Sequence, residues 1–271
     1  MLKDITLGQY YPADSVIHKL DARVKLFSTI LYIVSLFLFH DVVGLILVTA
    51  FLIFIIKLSK VPFSFMWRGI KAIWVLILIT ALCNLLFTQG EVTLISWKFI
   101  RITDQGIQNT IFFTIRLIYL VVGTSVMTLT TTPNKLTDGL EEGLKPLKKI
   151  KIPVHEIAMM MSIALRFIPI LAEEADKIKK AQIARGANFE EGGLIQKAKS
   201  LVPILVPLFV SAFRRANDLA LAMEARCYRG GEGRTKMKPL KYVASDYRAY
   251  AVMLIYLAVV IAVRIFGGNL L

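Results

Sequence analysis

Five stretches of this chain are apolar on nearly every side of a helix: Lys25–Phe39, Val42–Leu58, Ala72–Phe87, Ile111–Leu129 and Ala249–Phe266. A helical crossing of a hydrocarbon layer takes roughly 20 residues, and with their flanks these runs come up to that length. The first two are separated only by His40-Asp41, which predicts a tight helical hairpin.

From Thr130 to about Asp246 the pattern changes from uniformly apolar to periodic. Thr132-Pro133 reads as a helix start, a hydroxyl cap followed by proline at the first helical position. The helix runs to about Leu144, and the basic run Lys145–Lys151 follows. Beyond Pro153 the apolar positions fall in steps of three and four: Ile157, Met161, Ala164, Ile168, Leu171, Ala175 and Ile178. Such a narrow seam faces one neighbouring helix. A second series runs Leu194, Ala198, Leu201, Leu205, Leu208, Ala212, Ala216, Leu219 and Met223, after a break at Gly192-Gly193. Each helix is expected to be about 45–50 Å long at 1.5 Å per residue. Pro169, Pro203 and Pro207 are expected to bend them. The stretch Leu201–Phe213 is apolar all round but short for a crossing, which fits an embedded or interfacial segment. The expected fold is therefore all-α: a polytopic helical membrane protein with about five spans and a cytoplasmic coupling domain of long kinked helices. Its divisions fall at 1–130 (four spans), 131–245 (the coupling helices) and 246–271 (the last span).

Composition sharpens this picture. At 271 residues, 56% hydrophobic and a net charge of +14, the chain is too apolar for a soluble domain. Basic excess alone would also fit a nucleic-acid partner, but the charges follow the spans. Lys19, Arg23 and Lys25 precede the first run, and Lys57, Lys60, Arg68 and Lys71 lie between the second and third. The linker after the third carries only Lys98 and Arg101, offset by Glu91 and Asp104. This distribution puts the amino terminus in the cytoplasm of a multi-pass cell-membrane protein, next to anionic lipid, with no nucleic-acid partner. The polar, mixed-charge amino end does not read as a cleavable signal. Arg116 and Arg264 fall near the outer ends of their spans and are expected to snorkel outward.

No site chemistry emerges. Cys83 and Cys227 give neither a disulfide framework nor a metal set, and His18, His40 and His155 are scattered. There is no nucleophile–base pair or carboxylate dyad, and no phosphate-cradling loop; Gly230–Thr235 lacks its spacing and reads as a flexible basic loop. No catalytic residue, metal or cofactor is expected.

The two long helices end alike, on Ala181-Gln182-Ile183-Ala184-Arg185-Gly186 and on Ala222-Met223-Glu224-Ala225-Arg226-Cys227. One arginine near a helix end is an ordinary stop signal. Two matched ends on coupled helices point instead to two similar acidic sockets, as a dimeric partner offers. The alanines let a helix end enter a groove, and the guanidinium fork pairs a carboxylate there. Ala184, Arg185, Gly186, Ala225, Arg226 and Cys227 are the candidate docking residues. Cys227 stands where the first end has glycine, which predicts a weaker cap. A second candidate surface is the methionine run Met159, Met160 and Met161, with Ala164, Ile168 and Leu171 on the same helix and Leu205, Leu208 and Ala212 on the next. Methionine and small residues repack readily against different partners.

Three stretches resemble the transmembrane T component of energy-coupling factor transporters. They are Pro12, Asp14, Ser15, His18, Leu20, Asp21, Arg23 and Lys25; Ser162–Pro169 through Glu173, Glu174, Ala181, Gln182, Arg185 and Gly186; and Ala216 through Ala222–Tyr228. The resemblance implies a coupling subunit, itself no enzyme, of an ABC-type importer of vitamins or other micronutrients. Arg185 and Arg226 then dock into two ABC-type ATPases, and the methionine surface holds a small substrate-binding membrane S component. Two other functions fit the sequence less well. A membrane-embedded enzyme of lipid chemistry needs a polar cluster that is missing, and a stand-alone secondary transporter usually shows inverted repeats with charged centres.

Overall fold

The computed structural model describes residues 10–39, 41–88, 93–97, 100–187, 189, 193–231, 237 and 239–267. His40, Gly192 and residues 232–236 of the basic loop, on which expectations were placed, lie outside them. The described residues form ten α-helices: α1 (Val16–Lys19), α2 (Ala22–Leu38), α3 (Val42–Ser59), α4 (Phe63–Ala72), α5 (Trp74–Phe87), α6 (Asp104–Thr130), α7 (Pro133–Leu144), α8 (Val154–Ala184), α9 (Leu194–Ala225) and α10 (Ala244–Gly267). The chain is thus a helical polytopic membrane protein. One antiparallel hairpin, β1 (Thr93–Trp97) and β2 (Ile100–Thr103), occupies the segment expected to be a plain linker.

By length and composition alone, five helices can cross a membrane: α3, α6, α8, α9 over Ile195–Ala225, and α10 over Ala244–Ile265. The helix α2 has 17 residues. The third apolar run forms α5, which meets the preceding α4 at Ile73 with a 59° bend; at 14 residues α5 by itself is short for a crossing. The amphipathic α4 turns Met66 and Ile70 inward and exposes Phe63 and Trp67.

The chain divides into two compact units, Gly8–Gly139 with Leu240–Leu271, and Leu140–Pro239, with α7 running from one to the other. The first holds the core. Leu36, Val48, Met66, Leu129 and Val260 are fully enclosed where α2, α3, α4, α6 and α10 meet. The expected α2–α3 hairpin is not an intimate pair, because α10 packs on both helices. Tyr256 of α10 stacks on Phe51 with ring centroids 3.9 Å apart, and its hydroxyl lies 2.9 Å from Ser35 Oγ.

The amino-terminal signature residues knit this unit. Ser15 caps α1, and His18 bridges Ser15 Oγ (2.6 Å) and the Tyr11 carbonyl (3.0 Å). Asp21 caps α2 by accepting from the Arg23 amide at 2.9 Å, and the Arg23 guanidinium returns to the same carboxylate and lies 3.9 Å over the Tyr242 ring. Asp246, almost wholly buried, accepts from the amides of Asp21 and Val243 and so ties α10 to the start of α2. Arg116 corrects its expectation. It is buried rather than snorkelling, and Nη2 donates to the Phe39 carbonyl at 2.9 Å, neutralising the end of α2.

Candidate docking site on the two long helices

The ends of α8 and α9 close on the same hydrogen-bond pattern. In the first, the Gly186 amide donates to the Ile183 carbonyl (2.9 Å) and the Ala187 amide to Gln182 (3.0 Å). In the second, the Cys227 amide donates to Glu224 (2.8 Å) and the Tyr228 amide to Met223 (3.0 Å). Both are complete Schellman caps, which require a left-handed residue just past the helix. Gly186 supplies it at φ +88°, and Cys227 supplies it at φ 55° despite its β-carbon. The weaker cap expected at Cys227 is therefore fully formed, at a conformational cost of about 1 kcal/mol. Arg185 and Arg226 sit as C-caps with nearly equal dihedrals, φ −86°, ψ 6° and φ −91°, ψ 13°. Both side chains are exposed, and among the described residues neither has a hydrogen-bond or ion-pair partner.

The helices pack antiparallel. Gln182 near the end of α8 donates from Nε2 to the Pro203 carbonyl near the start of α9 (3.3 Å). That carbonyl is free because Pro207, four residues on, has no amide hydrogen to give it. Further along, Glu174 accepts from Ser211 Oγ and from Arg215 Nη2 (2.8 Å). The same offset of 41 positions separates Glu174 from Arg215 and Arg185 from Arg226, so the ion pair marks an approximate two-fold centre. The arginine tips consequently lie at opposite ends of the pair, roughly 40 Å apart at 1.5 Å per residue.

The chain matches the cobalt transport protein (CbiQ) family over residues 13–237. It is 54% identical to the energy-coupling factor transporter transmembrane protein EcfT of Clostridium kluyveri, over 99% of this chain and all of the relative. It is also 50% identical to the protein of that name from Acidaminococcus fermentans, over 94% of each chain. The protein of that name from Bacillus subtilis is 44% identical, over 97% of this chain and all of the relative. The chain belongs to the CbiQ/EcfT family. It is accordingly a transmembrane component of an energy-coupling factor transporter, a multi-pass membrane protein of a transport system.

Within this family frame, the second candidate surface splits. The seam expected at Ile157, Met161, Ala164 and Ile168 is not the one that faces α9; all four are exposed. The α8–α9 groove, about 310 Å³, is lined instead by Ile163, Phe167 and Leu171 against Ala212, Ala216 and Leu219. Of the predicted partner-binding residues, Leu171 and Ala212 thus line the inter-helical groove. Met160, Met161, Ala164, Ile168 and Leu205 are exposed, and Met159 and Leu208 are half-buried. The period was right and the phase one turn-edge off, because Met and Ala score alike as seam residues whichever way they face.

The Ser211–Glu174–Arg215 contact was missed at the sequence level. Its signal was available, a carboxylate and a guanidinium at matched positions of the two helix repeats. Among the described residues, no group of three or more His, Cys, Asp or Glu side chains is placed to hold a metal.

Proposed function

We propose that this family member is the coupling subunit of an ATP-driven importer, joining two cytoplasmic ATPase subunits to a small substrate-binding membrane partner. The carrying observation is the pair of identically capped, unpaired arginine ends on one antiparallel helix pair. A two-fold related pair of sockets is what two similar ATPases present. Each tip offers a guanidinium fork on a small-residue end, shaped for a carboxylate-lined groove. The amino terminus is cytoplasmic, following the basic residues around α1, α2 and α4. On this topology residues 1–130 and 246–271 hold the membrane spans, and 131–245 hold the coupling helices at the cytoplasmic face.

The exposed methionines of α8 and the exposed apolar positions of α9 form the surface for the substrate-binding partner. No described side chain of α9 is buried, and Phe209, Val210 and Phe213 stand outward. Apolar area of that kind marks contact with protein or lipid. The cargo, a vitamin or other micronutrient, is chosen by that partner, while α8 and α9 transmit ATPase closure to it.

The test uses Ala184→Cys and Ala225→Cys, each in a Cys83→Ser/Cys227→Gly background. Cross-linking in native membranes is expected to capture an ATPase subunit from each position. Capture from neither, with the membrane complex intact, contradicts the docking role.

A further inference from the structure

The helices α3 and α10 touch at the Phe51–Tyr256 stack, and a crevice lies between them towards Leu58 and Ser245. The crevice between them, backed by α2 and α6, measures about 360 Å³. Its base is apolar and buried, with Val24, Tyr32, Val126 and Met253. Its mouth is flanked by exposed Phe54 and Val252, so it opens sideways to whatever surrounds the bundle. The polar end is cationic. Lys25, only 6% exposed, lines it and donates to the carbonyls of Thr130 (2.8 Å) and His18 (3.4 Å), which leaves one ammonium hydrogen uncommitted. Arg248 lines it too, exposed, with Nε on the Ala244 carbonyl at 3.4 Å.

Among the described residues, neither cation has a carboxylate within ion-pair distance. The nearby acids are engaged elsewhere, Asp21 with Arg23 and Asp246 with two backbone amides. A nearly buried ammonium without an anion, at the head of an apolar slot beside a second unpaired cation, is a site waiting for an amphipathic anion. Lys19, Lys57 and Lys60 lie at the same end of the bundle, which faces the anionic leaflet under the positive-inside rule.

We propose that this crevice binds an anionic phospholipid, one acyl chain wedged between α3 and α10 and the phosphate held at Lys25 and Arg248. The lipid would brace the α3–α10 fork from the side. The proposal rests on the bundle's own geometry and stands apart from the docking of ATPases.

The full-length chain, alone and in the complex it co-purifies with, is incubated in mild detergent with phosphatidylglycerol or phosphatidylcholine of identical acyl chains. Native mass spectrometry then counts retained lipid. One phosphatidylglycerol is expected per chain in both preparations, preferred about tenfold over phosphatidylcholine. Arg248→Gln is expected to cut that preference several-fold at an unchanged melting temperature, and Ala249→Phe, which narrows the slot, to lower retention of both lipids. Equal retention of the two lipids, or an unchanged preference in Arg248→Gln, overturns the proposal. So does displacement by glycerol phosphate, which would make the site one for a free anion. Loss of lipid in the assembled complex would give the crevice to a protein partner and equally overturn it.

Discussion

The two units of this molecule bury their apolar residues in opposite ways. In the unit of α2–α6 and α10, inward positions interlock: Leu36 is 0% exposed and Tyr32, Phe51 and Tyr256 form a connected aromatic layer. In the unit of α8 and α9 the two helices share one narrow contact, and most of their apolar residues face outward. Both regions expose apolar surface for a partner or lipid to cover, but only the first also encloses a core of its own. The first region therefore carries most of the interior packing, and the second has little interior to lose.

That contrast can be broken most directly by matched truncations. Leu36→Ala is expected to destabilise the purified chain by about 2–3 kcal/mol, read as a fall in melting temperature in detergent. Phe209→Ala, on a side chain 63% exposed, is expected to leave the melting temperature alone and weaken only retention of the membrane partner. Equal destabilisation by both would erase the distinction between the units.

The Glu174–Arg215 pair should show an intermediate effect. Glu174→Arg is expected to loosen the α8–α9 pair by about 1 kcal/mol, and adding Arg215→Glu to restore most of it. Protease sensitivity of the α8–α9 connection follows the change. Additive losses in the double variant would mean that the pair does not set the crossing.

A smaller gain is expected at the second cap. Cys227→Gly relieves the left-handed residue and should raise stability by about 0.5–1 kcal/mol, with ATPase association retained. Gly186→Ala should cost a similar amount at the first cap, as both caps need a left-handed residue at that position.

The smallest effect concerns pH and only the bundle. Burial lowers the pKa of His18 below its ordinary 6.5. The unfolded chain therefore takes up the proton first as pH falls, so His18 supports the fold fully above 6.5 and loses that support as pH drops towards its folded value. Burial works against ionisation of Asp21, but the Arg23 contacts prevail and hold its pKa below the ordinary 3.8, with the same sign at lower pH. The melting temperature should fall between pH 7.5 and 5.5, and less so in His18→Gln. An equal fall in both would remove His18 as the cause.

Much of this architecture was legible in sequence, because apolar runs and repeated helix ends are local signals. The Ala-x-x-Ala-Arg ends announced two matched helix stops, and the structure gives Arg185 and Arg226 dihedrals within a few degrees of each other, with the cap at Cys227 formed as fully as the one at Gly186. What escaped was non-local. The break at Ile73 has no proline or glycine to announce it. Arg116 turned inward because Phe39, 77 residues away, ends its helix beside it. The face of α8 that meets α9 was misphased because Met161 and Leu171 look equivalent in a periodic pattern, whereas the contacts of Glu174 and Gln182 with α9 depend on residues far along the chain.

The measurement that bears most directly on the coupling role is co-purification from native membranes of the wild type and of Arg185→Ala/Arg226→Ala. Two ABC-type ATPases and a small hydrophobic protein are expected with the wild type. The double variant should keep the small protein and its own melting temperature while losing both ATPases. ATPases retained in full by the double variant would contradict the account and reduce both arginines to helix caps.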